Sequence, residues 1–82
     1  GDYMRKTIES ELKNVMSAVF GIRVDDINNN SSSITVKNWD SLKHMNLIVA
    51  LEEEFEIEFS DDEIMEMKGY ASIKYNLINR LG

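Results

Sequence analysis

The chain has no cysteine and no proline, a single histidine, a single tryptophan and four glycines. Without cysteine there is no disulfide, no thiolate metal site and no thiol nucleophile of the protein's own. One imidazole is too few for the metal centres that histidines usually build, so no metal site is expected. The lack of proline leaves long helices unbroken. Long apolar runs are missing as well. The longest, Leu47 to Leu51, is far too short to span a bilayer. No apolar stretch follows Gly1-Asp2-Tyr3-Met4-Arg5-Lys6, so no signal peptide is expected and the cytoplasm is the expected location. Positive charge is scarce too: Lys and Arg number 9 against 15 Asp and Glu, for a net charge of −6. Such a chain is a poor match for a phosphate backbone or an anionic membrane surface, which argues against nucleic-acid binding and stable membrane insertion. What remains is 82 residues, 43% of them hydrophobic. That is one small domain, residues 1–82, with room for a single core, expected to be a monomer.

The charge is unevenly placed. Residues 1–39 balance Asp2, Glu9, Glu11, Asp25 and Asp26 against Arg5, Lys6, Lys13, Arg23 and Lys37. The whole excess lies in residues 40–82, and from Glu52 to Glu66 there are nine acids and no base.

Periodicity predicts helices. Ile8, Leu12, Val15, Met16 and Val19 share one face of a first helix, with Arg5, Glu9, Lys13 and Ser17 opposite. Asp2 is placed to cap its start, and Gly21 sits where a left-handed C-cap would end it. Residues 22–39, with Asn28-Asn29-Asn30-Ser31-Ser32-Ser33 at their centre, read as a long structured loop. Ile22, Val24, Ile27, Ile34 and Val36 are its candidate apolar anchors. A second helix starts near Ser41, with Asp40 or Ser41 as its N-cap. Leu42, Met45, Leu47, Ile48, Val49, Leu51 and Phe55 make its apolar stripe wider than one face, so some of these residues face partners or the helix is deeply buried. Ser60 with Glu63 three residues on is a capping box for a short helix carrying Ile64 and Met67, ended by Gly69. A last helix places Tyr70, Ile73, Leu77 and Leu81 on one face. The expected fold is all-α: a small antiparallel bundle of three longer helices and one short helix, with a long loop between the first two.

Two chemical constellations fail on inspection. Asp26, Asn28 and Asn30 match the first ligand positions of a calcium loop, but Ser31 stands where glycine is needed and Lys37 where the closing carboxylate belongs. Asp40, Ser41 and His44 are the residue types of a hydrolytic triad. However, Asp40 adjoins Ser41 and is poorly placed to orient the far nitrogen of His44, and no glycine-rich elbow surrounds the serine. His44 reads as a solvent-facing helix residue, and Trp39 as a core plug beneath the loop.

The third constellation is Ser41 itself. Asp40-Ser41-Leu42 opens a helix that closes with Leu51-Glu52-Glu53-Glu54-Phe55, followed by Ile57-x-Phe59-Ser60-Asp61-Asp62-Glu63. Over nearly the whole chain this order resembles the acyl carrier protein family. The resemblance implies no catalysis by the chain itself. It implies a 4′-phosphopantetheine arm attached to Ser41, whose thiol holds acyl-type intermediates as thioesters. It gives Asp40 the role of the acidic neighbour that helps the phosphopantetheinyl transferase and its magnesium engage the serine, with Leu42 beside it. It makes Leu42, Val49, Glu52 and Glu53 a partner-docking surface. Leu51, Phe55, Phe59, Ile64 and Met67 become the lining of an acyl cavity, although ordinary core packing is the simpler reading of these residues and the preferred one for Leu51 and Phe55. The implied partners are the transferase, an acyl- or aminoacyl-loading ligase and downstream enzymes with basic docking patches.

The physics agrees: a helix N-terminus favours an attached phosphodiester, and a cofactor-borne thiol lets a cysteine-free protein take part in thiol chemistry. The turn after the serine, Lys43-His44-Met45-Asn46, is neutral to basic where fatty-acid-type carriers are acidic, and Trp39 stands where they place a small residue. The chain therefore looks more like stand-alone carriers of specialised pathways, such as polyketide, aminoacyl or cell-surface polymer modification systems. The alternatives are an aminoacyl or peptidyl carrier of the D-alanyl type, or an unmodified helical interaction module.

Overall fold

The structure, a computed structural model, describes residues 1–82. Helix α1 spans Asp2–Phe20 and buries Ile8, Leu12, Met16 and Phe20, a strict four-residue spacing that puts one row of side chains into the core. Asp2 is not its cap: it is already helical, Gly1 precedes it, and no side chain bonds to the first turn. The carboxylate is left with the weaker attraction to the positive helix end. Gly21 ends the helix at φ 69°, ψ 33°, with its N–H bonded to the Ser17 carbonyl. That left-handed conformation is one glycine adopts without steric cost.

Residues 22–40 form a pinned loop holding one 3-10 turn, Val24–Asp26. The loop's own polar residues fix it. The Ser31 hydroxyl accepts from the Asn28 N–H, the Asn28 side chain accepts from the Asn30 N–H, and the Asn38 amide donates to the Phe20 carbonyl at 2.7 Å. Of the expected anchors, Ile27 is fully buried and Ile22 and Val36 pack partly on the core. Val24 and Ile34 are exposed, Ile34 at 92%. The loop meets the far end of the chain through an isolated antiparallel bridge, Ser32 to Gly69. There the Ser33 N–H donates to the Lys68 carbonyl and the Tyr70 N–H to the Ser31 carbonyl. A Cβ on Gly69 would lie 3.1 Å from the Ser31 oxygen, so this close approach of backbones suits glycine.

Helix α2, Ser41–Phe55, buries Leu47, Ile48 and Leu51. It is terminated by Glu56 in the left-handed region at φ 54°. Helix α3, Asp61–Glu66, ends before Met67, and Gly69 serves as the N-cap of α4 rather than as the stop of α3. Helix α4, Tyr70–Leu81, buries Tyr70, Ile73 and Leu77, while Leu81 is partly exposed at the chain end. Helix α1 packs against both α2 and α4 around one cluster of 14 buried hydrophobic residues. Burial raises the Tyr70 hydroxyl to about 12, helped by the negative charge of Glu9, to which it donates a hydrogen bond.

Glu63 ties α3 to α4. The predicted capping box forms in both directions: Glu63 N–H to the Ser60 hydroxyl, and Ser60 N–H to Glu63 Oε1 at 2.9 Å. The other carboxylate oxygen accepts from the Asn76 amide at 2.7 Å and pairs with Arg80. The Ser60 backbone donor first, then Asn76 and Arg80, hold the Glu63 carboxyl down at about 2, against an ordinary value of 4.5. Its contribution to stability is complete above that ordinary value and is lost as pH falls from there towards 2. We expect Glu63→Gln, which keeps the box acceptor but loses the charge, to melt lower at neutral pH. Its melting temperature should also vary less between pH 4.5 and 2 than that of the unmodified chain, as followed by circular dichroism. Parallel curves for the two proteins would refute this.

Candidate functional site

The site is built on the first turn of α2. Asp40 is extended at φ −102° and caps the helix: its Oδ1 accepts from the Lys43 N–H at 2.8 Å, while its carbonyl accepts from the His44 N–H at 2.8 Å. Ser41 is therefore the first helical residue, and its side chain is exposed. The N–H groups of Ser41 and Leu42 precede the first intrahelical bond and are free to meet an acceptor at the serine oxygen. This donor set fits a phosphodiester at Ser41: unpaired amides, the positive end of a 15-residue helix and an exposed hydroxyl.

His44 is not solvent-facing. The Trp39 indole N–H donates to its Nδ1 at 3.0 Å. Indole is a donor only, so Nδ1 is the acceptor and the proton sits on Nε2. Nε2 in turn meets the Ile64 carbonyl of α3 at 2.9 Å. Trp39 is a core plug, as expected: it is 7% exposed and packed on Phe20, with ring centroids 4.7 Å apart. With both imidazole nitrogens engaged and Asp40 bonded to Lys43, Ser41 has no base of its own.

Lys43 also differs from its face value as a basic residue beside the serine. Its ammonium donates to the Val19 carbonyl at 3.2 Å, at the negative end of α1, where a cation is favoured. Leu42, Met45 and Val49 form an exposed apolar strip along α2, at 70%, 48% and 51% exposure. Glu53 is exposed farther along the same helix. Glu52 is turned inward, and its Oε2 accepts from the Phe59 N–H at 2.9 Å, which fixes the turn between α2 and α3. Of the expected cavity residues, Leu51, Phe59 and Met67 belong to the buried core, and Phe55 and Ile64 pack against it. The depression nearest the serine is a different space. It is an open groove of about 460 Å³ outside the core, lined by Ser33, Trp39, Ser41, His44, Met45 and Lys68.

A family model described as the phosphopantetheine attachment site matches residues 10–73, more than three quarters of the chain. A curated acyl carrier protein from Buchnera aphidicola subsp. Schizaphis graminum is 41% identical over 56 residues, covering 68% of this chain and 71% of that protein. The chain belongs to the acyl carrier protein family. A solved structure described as an acyl carrier protein from Mycobacterium tuberculosis superposes with a TM-score of 0.80 at 23% identity. It covers 90% of this chain and 99% of that one, and it confirms the helical fold. As a member of this family the protein is a carrier rather than an enzyme, and its cofactor is phosphopantetheine.

For this carrier, sequence reasoning missed the inward turn of Glu52 and the pairing of Lys43 with α1. It also missed the bond from His44 to α3. The i, i+5 spacing of Trp39 and His44 across a helix start was a weak signal for the last. The cap makes a separable prediction. Asparagine caps as well as aspartate does, so Asp40→Ala should lose about 1 kcal/mol in urea unfolding while Asp40→Asn stays near the unmodified protein. Equal losses would show that the cap contributes nothing through its side-chain oxygen.

Proposed function

We propose that Ser41 carries 4′-phosphopantetheine in phosphodiester linkage, and that this carrier shuttles acyl-type intermediates between partner enzymes of a specialised biosynthetic pathway in the cytoplasm. The observation that carries the reading is the exposed Ser41 hydroxyl at the first position of α2, behind the Asp40 cap and within the matched family region. When bound, the arm supplies a thiol that holds cargo as a thioester. The chain's own residues do the rest. The free amides of Ser41 and Leu42 face the phosphate position, and Asp40 stays on the rim, where a transferase's magnesium would find a carboxylate. The transferase deprotonates the serine in this reading, because His44, the nearest imidazole, has both nitrogens engaged.

Leu42, Met45 and Val49 offer a contact strip beginning at the serine, and Glu53 offers a negative charge at its far end. A loading enzyme with apolar residues near its own site and basic residues beyond would match this order. A specialised rather than general fatty-acid role is supported by the first turn of α2, which carries no acid after Ser41.

The decisive measurement is intact mass after incubation with coenzyme A, magnesium and a promiscuous phosphopantetheinyl transferase. The chain should gain one arm and Ser41→Ala none. No gain, or an equal gain on Ser41→Ala, would overturn the assignment. Docking is tested by Glu53→Lys, which leaves the Glu52 bond to Phe59 in place. Its modification rate should fall severalfold at low ionic strength, and the deficit should shrink as salt rises, since screening acts within about 10 Å at 0.1 M. A rate unchanged at every salt concentration would exclude Glu53 from the docking surface.

A further inference from the structure

We infer that this carrier holds its cargo outside the helix core, in the groove beside Ser41, and that its cargo is a short group rather than a long alkyl chain buried between α2 and α3. The inference rests on attachment of the arm at Ser41. Its own support is the hydrogen-bond chain Trp39 to His44 to Ile64.

A chain leaving the Ser41 oxygen and turning into the core would pass between the first turn of α2 and the end of α3. The His44 imidazole spans that passage. It lies one helical turn beyond Ser41 and is bonded to the α3 backbone at 2.9 Å. Trp39 continues the barrier on the loop side, its ring edge to edge with His44 through the indole N–H, with centroids 6.1 Å apart and planes inclined by 25°. Behind them Leu47 and Leu51 are 0% exposed and Met67 1%, all three within the one hydrophobic core cluster. Entry would break both hydrogen bonds, strand the Trp39 N–H without an acceptor, and open a cavity in packed core. Only the gain from buried methylenes opposes this, and that gain scales with chain length. A short cargo therefore stays outside.

The groove offers such a cargo a matched surface. It has the Met45 side chain, itself 48% exposed, and the edge of Trp39 on one side, and Ser33 and the exposed Lys68 on the other. The bridge between residues 32 and 69, with the Ser33 N–H donating to the Lys68 carbonyl, joins Ser33 and Lys68 into one wall.

The test uses the full chain loaded by a promiscuous phosphopantetheinyl transferase with coenzyme A, butyryl-coenzyme A or octanoyl-coenzyme A. Intact mass decides attachment first. A chain that gains no arm overturns the attachment assignment and this inference with it. On the loaded proteins, methyl NMR spectra and melting temperatures locate the cargo. We expect butyryl and octanoyl to perturb Met45 and residues lining the groove, to leave the Leu47, Leu51 and Met67 methyls in place, and to shift the melting temperature by less than about 2 °C. In His44→Ala, octanoyl should move the Leu51 and Met67 methyls and raise the melting temperature above that of the same variant carrying the bare arm. If that variant fails to fold, Trp39→Phe takes its place. It keeps a ring against Phe20 but removes the donor to His44, and the same outcome is expected. Movement of the Leu51 and Met67 methyls in the octanoylated unmodified chain, or no difference between that chain and the variants, would overturn this inference while leaving attachment at Ser41 intact.

Discussion

The Trp39 side chain has one hydrogen-bond donor, and its direction helps decide how four parts of the chain are held together. The ring plugs the space beneath the long loop and lies on Phe20 at the end of α1. The indole N–H points away from α1, into His44 on the first turn of α2, and so fixes which nitrogen of that imidazole is left to donate to α3. That side chain thereby links α3 to the turn that carries the serine, alongside the bonds of Glu52 and Glu63. The same placement occupies both nitrogens of His44, the one imidazole near Ser41.

The acidic half of the chain divides along similar lines. Glu52 and Glu63 point inward, one fixing the turn before α3 through Phe59 and the other joining α3 to α4 through Asn76 and Arg80. The remaining seven of the nine acids, Glu53, Glu54, Glu56, Glu58, Asp61, Asp62 and Glu66, are exposed. The negative field that a partner meets is therefore produced by fewer charges than the sequence contains, and two of its carboxylates are structural. A mutational scan that reversed all nine charges together would confuse loss of docking with loss of fold, which is why Glu53 is the informative position.

Much of this was legible in the sequence because it is local. Capping boxes, left-handed glycine caps and helical apolar spacing depend on residues a few positions apart, and Ser60 with Glu63, Gly21, and Ile8, Leu12 and Met16 fold as their spacing predicts, with Val15 and Val19 only partly buried and Phe20 joining the buried row. The position of Ser41 was legible because Asp40-Ser41-Leu42 reads as a helix start, and α2 does begin there. What escaped depends on distant partners. Nothing near His44 in the chain says that the Ile64 carbonyl will lie opposite it, and nothing near Lys43 points to Val19. Asp2 was misplaced by one residue because a helix can begin without a side-chain cap where its first turn is solvated. Ile34 was misassigned because apolar character in a loop creates no obligation to bury it when the backbone is already fixed by the bridge at Ser32 and by Thr35.

The absence of cysteine takes its meaning from these commitments. The chain contributes no thiol, no base for its serine and no free imidazole near it, and yet the first turn of α2 keeps unpaired amides, a helix dipole and an exposed oxygen at one point. Those features position a phosphate without reacting with what the phosphate carries. A thioester on a tether attached at Ser41 would survive longer the fewer nucleophiles of the carrier stand free beside the serine. Of the nearest candidates, His44 is locked between Trp39 and Ile64, and Lys43 is held against the end of α1. The same bonds that hold the fold together around Ser41 therefore also occupy those two side chains.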